Sequence, residues 1–108
     1  MSRVSKLLEN LDLKKSDAVL RATLEAIQGL AVMSTFKADD WKQIVDAVQH
    51  VFLKYNRNTT SGVYETAGET LEVIRDAGSS IPAAQKMRAM RILTGAEWKH
   101  PDIIIAET

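Results

Sequence analysis

Between Asp39-Asp40 and the polar run Asn56 to Ser61 the chain places Trp41, Ile44, Val45, Val48, Phe52 and Tyr55. Steps of three and four residues bring all six side chains to one side of an α-helix. A strand would scatter them, because its side chains alternate between two faces. A helix with so broad an apolar face has to be covered by other helices of the same chain or by a partner. The chain is therefore read as all-α.

The same periodicity predicts four more helices. Val4, Leu7, Leu8 and Leu11 mark a short amphipathic helix over about Ser2 to Leu11. Ser16 is the expected N-cap of a second helix running to about Ser34, with Asp17 at the positive end of its dipole. Its stripe is Leu20, Leu24, Ile27 and Ala31, and Gly29 within it predicts a close helix approach. The short link Thr35-Phe36-Lys37 predicts that the second and third helices form a central antiparallel hairpin, the second covering the stripe of the third. A fourth helix is expected over Val63 to Asp76, with Val63, Ala67, Leu71 and Ile74 inward and Gly78 left-handed at its end. A fifth restarts at Ser79-Ser80-Ile81-Pro82, where a serine is the expected cap, with Ala83, Met87, Met90 and Leu93 inward. Residues 1–95 then make one helical domain of about five helices, a compact bundle or orthogonal array. Pro101 and Ile103-Ile104-Ile105 favour an extended apolar tail over 96–108, docking on the body or on a partner.

Composition narrows the chemistry. With 108 residues, one hydrophobic core is the expectation, and 14 basic against 14 acidic groups leave no net field to draw the chain to nucleic acid or an anionic membrane. Cysteine is absent, so disulfides, thiol nucleophiles and thiolate metal sites are excluded. The N-terminal residues lack the apolar run of a secretory signal, and no window approaches the roughly 18 apolar residues of a membrane span. A cytoplasmic location is expected, and Asn58-Thr59-Thr60 is read as a coincidental glycosylation pattern.

No residue pattern asks for catalysis or a cofactor. The two histidines, His50 and His100, lack partners at metal-ligand spacing. Asp39 and Asp40 sit where a helix dipole favours negative charge, and Ser16, Ser34, Ser61, Ser79 and Ser80 all fall at helix boundaries. The stretch Gly62 to Thr70 has glycines, but at the wrong spacing for a phosphate loop and without its lysine. The expected function is non-enzymatic, with no cofactor and no metal: binding to another protein or to a second copy, through Trp41, Trp98, Ile103, Ile104 and Ile105. Burying the three isoleucines would contribute roughly 5 to 8 kcal/mol before ordering costs. The alternative is a helix-turn-helix-like regulator of nucleic acid, with Lys86, Arg88 and Arg91 on the fifth helix as readers after the turn Ala77 to Ser80.

One family resemblance accompanies this reading. Phe36-Lys37-Ala38-Asp39-Asp40, entered from the apolar helix Ala18 to Met33, Phe52-Leu53-Lys54-Tyr55 and Arg91-Ile92-Leu93-Thr94 follow one another in the order found in the smallest subunit of the seven-subunit actin-branching complex of actin-related proteins. The chain resembles that family over about residues 16 to 94. It departs from the pattern at Asn56-Arg57-Asn58, in lacking the family's Trp-His pair and acidic N-terminal arm, and in its acidic, isoleucine-rich tail. The resemblance implies an all-helical, non-catalytic subunit that docks on neighbouring subunits without a cofactor.

Overall fold

Ser16 starts the second helix as expected: its Oγ accepts the Val19 N–H at 3.3 Å, satisfying an amide that has no partner within the helix. The computed structural model describes residues 3–33, 36–56 and 60–95. It contains five helices, α1 (Arg3–Asn10), α2 (Asp17–Leu30), α3 (Ala38–Lys54), α4 (Val63–Asp76) and α5 (Ala83–Thr94). At the start of α3 the Asp40 carboxylate accepts the Lys37 N–H at 3.0 Å, and Phe36 meets Trp41 edge-on with ring centroids 5.4 Å apart. The segment Phe36 to Trp41 is thus a helix-start motif with an aromatic clasp.

The stripe of α3 is core. Trp41, Ile44, Val45, Val48 and Val51 are fully buried and Phe52 nearly so. What covers it differs from expectation. α2 and α3 make little direct contact, and α4 packs extensively on α2, α3 and α5 at once. The chain does fold back, since Tyr55 after α3 donates to Asp17 at the start of α2 at 3.0 Å. Nevertheless the central hairpin is replaced by a central α4. Its buried face, Val63, Thr66, Ala67, Thr70, Leu71 and Ile74, is wider than the four apolar residues suggested, because two threonines belong to it. Thr70 is fully buried and donates to the Thr66 carbonyl at 2.8 Å, while Gln28 of α2 donates to the Thr70 hydroxyl at 3.1 Å. With its hydroxyl satisfied, Thr70 can sit in the α2–α4 contact without a desolvation penalty. On the other flank, Phe52 of α3 stacks on Tyr64 of α4, with centroids 4.7 Å apart. α1 contributes Val4 and Leu7, and Leu11 just after it, against α2 and α3.

Three local expectations are corrected. Gly29 faces open space, with nothing within 4 Å of where a Cβ would stand, so it marks no close approach. Gly78 is not left-handed; the positive-φ glycines among the described residues are Gly62, φ 79°, ahead of α4, and Gly95, φ 88°, after α5. Ser80 does not cap α5 but donates to the Ala31 carbonyl at 2.8 Å, tying the α4–α5 connection to the end of α2, and Pro82 occupies the cap position.

The largest correction concerns the roll of α5. Ala89 and Ile92 are buried, whereas Met87 and Met90 are 49% and 43% exposed and Ala83 is exposed; of the expected inward set, Leu93 alone is half-buried against the core. Two residues correspond to roughly 200° at 3.6 residues per turn, so the helix presents nearly the opposite face to the core. Ile81, buried just before the helix, and Arg88, which pairs with Asp46 of α3, hold that roll.

Two glycine substitutions check this description by urea denaturation. Gly29→Ala is expected to raise stability by about 0.5 to 1 kcal/mol, because it removes helix-interior glycine entropy at a site with room. Gly95→Ala is expected to lower it by about 1 to 2 kcal/mol, because alanine resists a positive φ.

Candidate interaction surface

Trp41, expected at a docking surface, is fully buried. It presents no area to a partner, and its indole N–H has no hydrogen-bond partner among the described residues. The residue serves the core because the first turn of α3 points it inward, under Phe36. Trp98, Ile103, Ile104 and Ile105 lie outside the described residues, as does His100.

Of the three cations of the helix-turn-helix reading, two bond within the fold. The Arg88 guanidinium bonds the Asp46 carboxylate and donates to Gln49 Oε1 at 2.5 Å, bracing α5 against α3. Lys86 Nζ donates to the Gly78 carbonyl at 3.1 Å. Arg91 is exposed. The connection from α4 to α5 runs from Ala77 to Pro82, longer than the usual turn of three or four residues in that motif.

Other polar side chains have structural tasks. His50 is exposed on α3, and Arg21 donates to the Ser61 carbonyl at 2.6 Å, holding the loop before α4. The Tyr55 hydroxyl is pushed above the ordinary phenol range, first by desolvation, then by its hydrogen bond to Asp17 and the charge of that carboxylate. At the end of α4, the Arg75 guanidinium bonds Asp76 with both nitrogens, at 2.9 and 3.0 Å, and holds that carboxyl below its usual range. Among the described residues, no group of three or more His, Asp or Glu side chains is gathered as a metal site. No helix there is long and apolar enough to cross a membrane.

The contrast that remains is between two outer faces. The exposed positions of α4 are Glu65, Glu69, Glu72, Arg75 and Asp76, every one charged. Those of α5 are Ala83, Ala84, Met87, Met90, Arg91 and Thr94, with one charge among them. A solvated helix face is normally charged, as that of α4 is; the outer face of α5 is instead mostly alanine and methionine. Sequence reasoning named the methionines but assigned them inward, since their three-residue spacing is as regular as that of Ala89 and Ile92. Val32 and Met33, after α2, add 77% and 47% exposed apolar side chains at a second place.

Two measurements test these assignments. A double-mutant cycle on Arg88 and Asp46 is expected to give a coupling of about 0.5 to 1 kcal/mol in unfolding free energy, as for a partly exposed ion pair. For Tyr55 the folded pKa lies above the unfolded value near 10.0, so its stabilisation is complete below that pH and lost as pH rises through the folded value. The urea midpoint of the wild type should therefore fall toward that of Tyr55→Phe above about pH 10. No family model matches this chain, and no match is found among curated proteins or solved structures.

Proposed function

We propose that this chain is a non-catalytic protein–protein interaction or assembly module, a small helical subunit or adaptor of a larger complex or homo-oligomer, and that it docks through the outer face of α5. The observation that carries this reading is the exposure of Met87 and Met90, one turn apart and flanked by Ala83 and Ala84, on a helix whose neighbour α4 has a fully charged exterior. Methionine suits such a face, because its unbranched thioether adapts to a partner's contours. The isoleucines Ile103 to Ile105 follow this helix in the sequence and add apolar residues to the same end of the chain. The reading agrees with what the resemblance to the actin-branching complex subunit implies. However, the matched segment Phe36 to Asp40 is occupied with starting α3, and so argues for a shared helix junction rather than for a shared docking residue.

Sedimentation of the wild type and of Met87→Lys/Met90→Lys tests the proposal. The wild type is expected to sediment above its 12.0 kDa monomer mass, or to gain mass with an added partner, and the variant to remain monomeric with an unchanged melting midpoint. A photo-crosslinking residue at position 87 should then capture a discrete second chain, while one at position 69 on the charged face should not. A wild type that stays monomeric and crosslinks no better from 87 than from 69 overturns the reading.

A further inference from the structure

Phe52 and Tyr64, Gly68 of α4 and Leu93 near the end of α5 line an open surface notch of about 390 Å³ at the junction of three helices. Its walls are the stacked aromatic pair and a leucine, and its rim is acidic, carrying Glu65, Glu69 and Glu72. Gly68 leaves the floor open: a Cβ there would meet Phe52 at 3.5 Å, an ordinary contact, so the space is unfilled rather than forbidden. Leu93 stands two residues before Gly95, whose left-handed conformation ends α5. The chain therefore leaves the helix beside this notch. Trp98 comes three residues later, within about 10 Å of extended backbone, and is followed at once by Lys99 and His100.

We propose that the chain's own C-terminal segment occupies this notch, with Trp98 between the aromatic pair and Leu93 and with Lys99 over the glutamates of the rim. Three features converge on that occupant. The segment begins where the notch lies, its one large aromatic side chain falls within reach, and the cation that follows complements the carboxylates. Phe52 is already buried by its stacking, so the apolar surface open to an indole is that of the half-buried Tyr64 and Leu93. The interaction uses the α4 side of α5 and leaves Met87 and Met90 uncovered, so it does not rest on the assembly proposed above; a monomer would dock Trp98 equally well.

The test labels both tryptophans with a fluorine and follows them by ¹⁹F NMR in the full chain, Trp98→Phe identifying the second signal. In the wild type the Trp98 signal is expected to be displaced from that of a free peptide of residues 96–108 and protected several-fold from a soluble paramagnetic quencher. Gly68→Gln, which fills the notch floor, should abolish the protection and leave the buried Trp41 signal in place, which shows that the fold is intact. Glu69→Lys/Glu72→Lys should weaken the protection and make it less sensitive to salt. Protection equal to that of the free peptide, or unaffected by Gly68→Gln, overturns the proposal. So does protection that disappears on dilution, since Trp98 would then sit on a second copy.

Discussion

The packing of α2 on α4 at Leu24 and Thr70 is the contact on which the rest of this structure depends. A helix can serve as the middle of a bundle only if it offers apolar surface to several neighbours, and α4 does so by interleaving small residues, Thr66, Ala67 and Thr70, with Val63, Leu71 and Ile74. Small residues let one neighbour approach closely while the larger ones fill the space toward the next. The threonines bring hydroxyls into the interior, and local chemistry resolves this: both donate to the carbonyl four residues earlier. Thr70 then still has a lone pair for Gln28, which bonds the two helices at a defined register. Burying a threonine thus specifies the α2–α4 contact in a way that valine would not.

This explains which parts of the fold were legible in the amino-acid sequence. The five helices and most of their boundaries follow from periodicity and turn residues, although α2 ends at Leu30, short of the expected Ser34, and Ser16, Asp39 and Asp40 act where their chemistry places them. The order of packing was hidden. A polar threonine does not read as core, so α4 looked like a narrow amphipathic helix and the central position went to the two helices with the most aliphatic residues. A short link between α2 and α3 requires them to be sequential; it does not require their faces to meet. Leu20, Leu24 and Ile27 are committed to the interior, but largely toward α4.

The surface was legible in a similarly uneven way. Trp41 has the size and rarity of a docking residue, yet its place in the first turn of α3 puts it under Phe36. On α5 two apolar sets share the same spacing, Met87 with Met90 and Ala89 with Ile92, and periodicity alone cannot rank them. Long-range contacts decide between them: the Arg88 fork on Asp46 and Gln49, and the buried Ile81 that leads into the helix. A cation that in isolation suggested nucleic acid is therefore part of what turns the methionines outward.

A consequence follows for how the molecule divides its surface. Arg88 and the methionines are coupled through a single rotation of α5: the roll that lets the guanidinium reach α3 is the roll that exposes Met87 and Met90. Leaving them about half exposed forgoes roughly half of the 1.5 to 3 kcal/mol that full burial of each would provide. The compensation within the chain is the burial of the smaller pair, Ala89 and Ile92, and the bonds made by Arg88. In the assembly proposed above, covering the outer face of α5 would recover that stabilisation, and the core of the chain and the proposed contact surface would lie on opposite sides of one helix.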